Sequence, residues 1–309
     1  MRRTLKHIFG PVASRRLGRS LGVELTPFKT CSFDCVYCEV GRTTHETVAR
    51  AAYVPTAELL EELAVALADR PPLDYVTLAG SGEPTLHADI GPIIRGIREL
   101  TATPIAILTN GSLLGHPDVR RACSGADLIL PTLAAHDEAA YQRIHRPVEG
   151  LTLEKHIAGL VAFREECGTE MWLELFLLEG LNATAADRAA FMPIIERIAP
   201  DRVQLNTAVR PTADVDATAV SAATLDEWAR ALGPLAEVIA NVQRPGGPVG
   251  EAEDHQVLAL CQRRPCTLDQ IADGLGMLRP AVAKSVARLK AQDRLSTQWK
   301  NGQEFYVGE

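Results

Sequence analysis

The chain has 309 residues, a formal net charge of −7 and seven cysteines, enough for one sizeable hydrophobic core and a second small one. No apolar run approaches the roughly 20 residues that cross a bilayer, and the start Met1-Arg2-Arg3-Thr4-Leu5-Lys6-His7 lacks the apolar centre of a signal peptide. A membrane-spanning protein is thereby excluded, and a cytoplasmic one with reduced, metal-binding thiols is expected in place of disulfides.

Basic residues crowd the beginning: Arg2, Arg3, Lys6, Arg15, Arg16, Arg19 and Lys29, with few acids nearby. The segment reads either as an anion-binding face or as a solvated basic stretch. Residues 21–25 form a strand that enters the run Thr30-Cys31-Ser32-Phe33-Asp34-Cys35-Val36-Tyr37-Cys38. Apolar strand-like runs then alternate with amphipathic helical ones: helix 56–68, strand 75–79, helix 90–100, strand 104–109, helix 117–123 and strand 128–130. The series continues with helix 156–166, strand 171–178, helix 188–198 and strand 203–206. This order requires a parallel sheet covered by helices, each helix returning the chain for the next strand. About six such units predict an α/β fold, a partial (β/α)6 barrel open on one side, with its chemistry at the C-terminal strand ends.

A helix over 225–239 follows, and Arg244-Pro245-Gly246-Gly247-Pro248-Val249-Gly250 is a linker by composition. Beyond it come helices at 253–263, 268–275 and 280–291, the second capped by Thr267 and the third opened by Pro280. Strands 295–299 and 304–307 flank Asn301-Gly302 as a hairpin. The expected domains are therefore 1–243, a linker at 244–252, and 253–309. Three helices plus a hairpin resemble a small winged helix-turn-helix domain. Lys284, Arg288 and Lys290, with Arg279, form a groove-facing set for nucleic acid. Acids balance bases in this domain, so docking to protein stands beside nucleic-acid contact.

Three thiols on one short loop can hold three irons of a cubane [4Fe-4S] cluster and leave the fourth iron open to a reacting ligand. The alternative is a partial zinc site or three structural thiols, although zinc ligands usually come as separated pairs. Gly80-Ser81-Gly82-Glu83-Pro84-Thr85 follows the second strand. Its glycines admit a ligand close to the backbone and its carboxylate can accept from an ammonium group, or the run is a tight turn. Thr109-Asn110-Gly111-Ser112 ends the third strand with groups suited to a ribose or carboxylate, or with a turn and N-cap. The run 141–147 concentrates Arg143, His145 and Arg146, for an anion or as a basic helix end. Glu174 alternates with apolar residues in the fifth strand, and pointing inward it needs a substrate or a cation to meet it. Asn206 and Arg210 complete the rim. Cys261 and Cys266 either share a metal or are buried small residues.

The spacing Cys-x-x-x-Cys-x-aromatic-Cys resembles the signature of the radical S-adenosylmethionine (SAM) superfamily, and the resemblance runs from His7 to Pro211. It implies a [4Fe-4S] cluster on Cys31, Cys35 and Cys38, with SAM chelating the free iron and one electron splitting the sulfonium to a 5′-deoxyadenosyl radical. SAM contacts are implied at Phe33, Tyr37, Gly80, Ser81, Gly82, Glu83, Pro84, Thr109, Asn110, Arg143, Leu178 and Asn206, with Ser81 replacing the middle glycine of the family's Gly-Gly-Glu motif. Catalytic work at the substrate is expected of Glu174, His136 and Arg146. Residues 131–137 depart from the Ser-Leu-Asp-Ala pattern of relatives. The stretches 174–182 and 200–211 are similar to the wyosine-forming transfer-RNA enzymes and their bacterial cousins, but no cysteine precedes Cys31, so a second cluster is not implied. The implied partners are an electron donor such as flavodoxin or ferredoxin and an unidentified substrate: RNA, peptide or small molecule. The competing function is a cluster- or SAM-sensing regulator that contacts DNA through 253–309. An iron left open toward SAM favours the enzyme.

Overall fold

The computed structural model describes residues 5–68, 73–240 and 254–309. Two strands, β1 (Ile8–Ser14) and β2 (Gly18–Val23), precede a two-residue parallel pair, β3 (Thr30–Cys31) and β4 (His45–Glu46), that clasps the cysteine loop. Alternation then begins with α1 (Thr56–Ala68), β5 (Tyr75–Leu78), α2 (Ile90–Leu100), β6 (Ile105–Thr109), α3 (Pro117–Cys123) and β7 (Leu128–Leu133). It continues with α4 (Glu138–His145), α5 (Leu153–Glu166), β8 (Glu170–Leu177), α6 (Ala185–Ile198), β9 (Arg202–Thr207), α7 (Ala222–Leu232) and β10 (Ala236–Val238). One sheet runs in the order β1-β2-β5-β6-β7-β8-β9-β10, parallel from β2 to β10, with β1 antiparallel on the edge. This is the expected partial barrel of α/β class.

The helices cover the sheet because their apolar residues share one face. On α2, Ile90, Ile93, Ile94 and Ile97 fall at helical spacing and are all buried, each contributing about 1.5–3 kcal/mol of burial. Ile105, Ala106 and Ile107 on β6 are fully buried in succession, as a strand covered on both faces requires.

Two elements appear that the sequence reading does not set out, and one expected helix is shorter than read. Strand β1 carries no clean alternation, since Gly10-Pro11 interrupts it, and its pairing with β2 has a bulge between Phe9 and Val12. The basic run before Pro147 is most of a capped helix, α4, begun by Asp137, whose side chain accepts from Ala140 N at 2.7 Å. The helix expected over 225–239 stops at Leu232, because Gly233 takes φ +67° and Pro234 cannot continue the helix. The freed segment becomes β10.

Beyond residue 253 come α8 (Asp254–Arg263), α9 (Leu268–Leu275), α10 (Arg279–Ala291) and the hairpin β11 (Leu295–Lys300) and β12 (Gln303–Gly308). Thr267 and Gln270 form a reciprocal capping box, and Asn301 and Gly302, both at positive φ, make the tight turn. The linker expected at 244–252 lies outside the described residues. This C-terminal unit has its own apolar core, yet Val12 of β1 packs against that core, the Arg263 guanidinium lies 4.3 Å over the Phe9 ring, and Lys300 Nζ donates to Thr212 Oγ1 and the Ala217 carbonyl at 3.2 Å. Of the cations read as groove-facing, Arg279 pairs with Asp269 at 2.6 Å, Arg288 with Asp254 at 2.6 Å, and Lys290 lies 3.8 Å from Glu304. That leaves Lys284 of the set without an acidic partner among the described residues, which weakens the case for a DNA-binding regulator. No helix among the described residues is long and apolar enough to cross a membrane.

Candidate active site

The cysteine loop is laid across the end of α4. Asp34 N donates to the His145 carbonyl at 3.1 Å, Val36 N to the Ile144 carbonyl at 2.9 Å, and Cys38 N closes a turn onto Cys35 O at 3.1 Å. All three sulfurs face one cavity of about 280 Å³. Each has a polar neighbour: Lys29 Nζ at 3.1 Å from Cys38 Sγ, Asn110 Nδ2 at 3.5 Å from Cys31 Sγ, and His145 Nδ1 at 3.5 Å from Cys35 Sγ. Burial, then the charge of Glu83, pushes the Cys31 thiol up to about 12. Burial also raises Cys35, and Cys31 and Cys38 raise it further. Thiolates so enclosed need a cationic centre between them. The cysteine spacing bears on which kind, because zinc ligands usually come as separated pairs while three cysteines on one short loop suit a cubane. The donor set therefore suits a multi-iron cubane better than one ion.

Lys29 and His145 were not singled out as thiol neighbours by sequence reading. His145 was grouped with cations, but it is fully buried and burial pulls it well below its ordinary value, so it is a neutral imidazole. Its Nε2 accepts from Ala134 N at 3.2 Å, which leaves Nδ1–H to donate to Cys35 Sγ or to Tyr37 Oη at 3.3 Å. Phe33, Tyr141, His145 and His156 form one buried aromatic cluster behind the loop. Burial holds His156 down to about 4. Its folded value lies below its unfolded one, so the stability it contributes is present above about pH 6.5 and is lost as pH falls toward about 4. Denaturant titrations at about pH 7 and about pH 5 should differ by about 2 kcal/mol on this account, and His156→Leu should flatten the difference.

The glycine loop after β5 meets the thiols from the other side. A Cβ on Gly82 would come within 2.2 Å of the Thr30 carbonyl oxygen, so that position needs glycine, and one on Gly80 would come within 2.7 Å of the Glu24 side chain and displace it. Ser81, the departure from the family pattern, has a partner: its N donates to Glu24 Oε1 at 2.8 Å and its hydroxyl to the same oxygen. Glu24 Oε2 in turn pairs with Arg263 of the C-terminal unit at 2.6 Å. Glu83 is buried and accepts four hydrogen bonds, from Thr85 N (3.0 Å), Thr85 Oγ1 (2.5 Å), Thr109 Oγ1 (2.6 Å) and Asn110 N (2.7 Å). It thereby ties the glycine loop to the end of β6.

Glu174 points inward and is met by the chain's own groups: Thr132 Oγ1 at 2.6 Å, Asn206 Nδ2 at 2.9 Å and Arg16 Nη1 at 3.1 Å. Tyr37 stacks on Phe176 with ring centroids 4.2 Å apart, a surface that the sequence presented only as strand apolarity. Phe33, Tyr37, Gly80, Ser81, Gly82, Glu83, Thr109, Asn110, Glu174 and Asn206 share the lining of the thiol cavity. Five expected site residues lie elsewhere. His136 bonds Asp187 at 2.7 Å and packs on Phe191. Arg146 pairs with Asp214 at 3.1 Å. Arg143 donates to the Leu181 carbonyl at 3.0 Å, Leu178 is buried with its N bound to Asn182 Oδ1 at 2.7 Å, and Pro84 is buried in a short turn. Cys261 and Cys266 are buried in the C-terminal core, and among the described residues no third ligand makes a metal site with them.

Residues 25–191 match the Radical SAM superfamily. The chain belongs to the radical SAM superfamily. As a radical SAM enzyme it binds a [4Fe-4S] cluster and SAM. A UPF0026 protein of Synechocystis sp. is 38% identical over 212 residues, covering 68% of this chain and 78% of that one. A Brachyspira hyodysenteriae protein named GTPase Obg is 33% identical over 306 residues, 98% of this chain, but this radical SAM chain spans 45% of its length. The fold is similar to a radical SAM methyltransferase from Sphaerobacter thermophilus, with TM-score 0.57, 19% identity, and coverage of 71% of this chain and 65% of that one. It is also similar to Streptococcus suis SuiB bound to the precursor peptide SuiA, with TM-score 0.54, 14% identity, and coverage of 70% and 48%.

Proposed function

We propose that Cys31, Cys35 and Cys38 hold the cluster, and that the enzyme generates its radical beside a substrate at the mouth of the barrel. The observation that carries this is the meeting of the three thiols and the Gly80–Glu83 loop in one cavity. When bound, the cluster and SAM supply a 5′-deoxyadenosyl radical, which takes one hydrogen atom from the substrate. The chain's residues prepare that event. Lys29 places a positive charge against Cys38, and neutral His145 gives its Nδ1–H to Cys35 or Tyr37. The Tyr37–Phe176 stack offers an apolar face that excludes water from the reacting centre. Asn110 spans Cys31 Sγ and Ser32 Oγ, so the end of β6 moves with the thiol loop. A flavodoxin or ferredoxin is the proposed electron donor.

Anaerobically reconstituted protein, reduced with dithionite in the presence of SAM, is expected to release 5′-deoxyadenosine and methionine in equal amounts. Cys35→Ser should abolish both that release and the cluster's visible absorption. Intact, fully loaded protein that releases neither product would refute the proposal.

A further inference from the structure

The thiol cavity continues past Arg15, Arg16 and Glu39 into a second cavity of about 250 Å³. Its far wall belongs to the C-terminal unit, through Leu260, Arg263 and Arg264. Five guanidiniums line this space, those of Arg15, Arg16, Arg210, Arg263 and Arg264, against one lining carboxylate, Glu39. Two further carboxylates reach the cluster from outside it: Glu174 pairs with Arg16 at 3.1 Å and Glu24 with Arg263 at 2.6 Å. Glu39 is shared, 2.8 Å from Arg210 and 3.8 Å from Arg15. Five cations against three anions leave an excess of two positive charges.

The excess falls on Arg264. Its guanidinium has no carboxylate within ion-pair distance among the described residues; its side chain meets the Cys266 thiol, and its Nε is buried without a partner. The crowding is felt by its neighbours: burial, then the like charge of Arg210, pulls Arg15 down from the ordinary guanidinium range, with Arg16 and Arg264 adding to the effect. Burial opposes ionisation of Glu39, but Arg210, Arg15 and Arg264 outweigh it and hold the carboxyl down at about 2. Enclosed like charges of this kind are costly unless an anion meets them. Guanidinium forks match phosphate oxygens, and a phosphate monoester brings nearly two negative charges where a carboxylate brings one.

We infer that this second cavity is the substrate site and takes the phosphate group of a small phosphorylated molecule, with Arg264 reaching in from the C-terminal unit to bind it. On the cavity wall Ser20 and Thr77 bond each other and Ser14 Oγ accepts from Arg16 N and Leu17 N, so a hydroxylated body on the same ligand would meet their remaining hydrogen-bonding capacity. The inference deepens the proposed function and rests on it for the word substrate, while the anion site stands on its own geometry.

Inorganic phosphate, titrated calorimetrically into the reconstituted full chain, is expected to bind saturably. Arg264→Gln should weaken that binding by about tenfold or more, Arg264→Lys should retain part of it, and acetate should not compete. The cluster's visible absorption, read on the same samples, reports that each variant is folded. No saturable phosphate binding by the intact chain, equal binding by Arg264→Gln, or acetate binding as tightly as phosphate would each overturn the site. Protein that binds phosphate but releases no 5′-deoxyadenosine would keep the anion site and defeat radical generation. The opposite result would defeat the anion site alone.

Discussion

Glu83→Ala is expected to lose about 4 kcal/mol of stability and to bind SAM at least about a hundredfold more weakly, because the change strands four donors at once. Thr85 N, Thr85 Oγ1, Thr109 Oγ1 and Asn110 N all give their hydrogens to this one buried carboxylate. A buried donor without an acceptor costs about 1–3 kcal/mol, and water entering the gap recovers only some of it. Burial raises Glu83, and those four donors work against that rise by favouring the charged form. Asn110 also touches Cys31 Sγ, so slack at the end of β6 passes to the thiol loop. Glu83→Gln keeps the shape but turns an amide N–H₂ toward donors, and should recover less than half of the loss. Urea titration and equilibrium SAM binding check both variants. An unchanged urea midpoint in Glu83→Ala would contradict the clamp.

Arg263→Ala is expected to weaken SAM binding about tenfold although Arg263 lies in the C-terminal unit, because a partner of a mostly buried ion pair is removed at a cost of about 3 kcal/mol. The route is short. Arg263 bonds Glu24, and Glu24 bonds both the N and the hydroxyl of Ser81 in the glycine loop. A double-mutant cycle of Arg263→Ala with Glu24→Gln should give a coupling of about 1–3 kcal/mol. Hydrogen exchange separates positioning from mere support. The Ser81 amide should exchange faster in Arg263→Ala while amides in β7 and β8 stay protected, whereas uniform loosening of the barrel would reject the route.

The legible part of this site is the part that is local in sequence. Cys31, Cys35 and Cys38 lie on one loop, Gly80 to Glu83 on another, and strand periodicity puts both loops at one end of a parallel sheet. Side chains whose meaning depends on distant partners could not be read in this way. His136 offers a free imidazole on paper, but Asp187, on α6, takes it away from the cavity. Arg146 is likewise claimed by Asp214. His145 reads as a cation beside Arg146 until burial makes it neutral. The guanidinium cluster draws on Arg15 and Arg16, Arg210, and Arg263 and Arg264, three segments far apart in the chain, so the basic start was visible as a charge surplus without its purpose.

The docked position of β1 sets a limit on how this enzyme can be dissected. A shortened protein ending after β10 would lay bare the ring of Phe9 and the side chain of Val12, and would leave Glu24 facing solvent where Arg263 had been. Such a fragment should be sticky and slow to retain its nucleoside, so the barrel is not a free-standing catalytic module and any swap of the last fifty or so residues must bring a matching arginine with it.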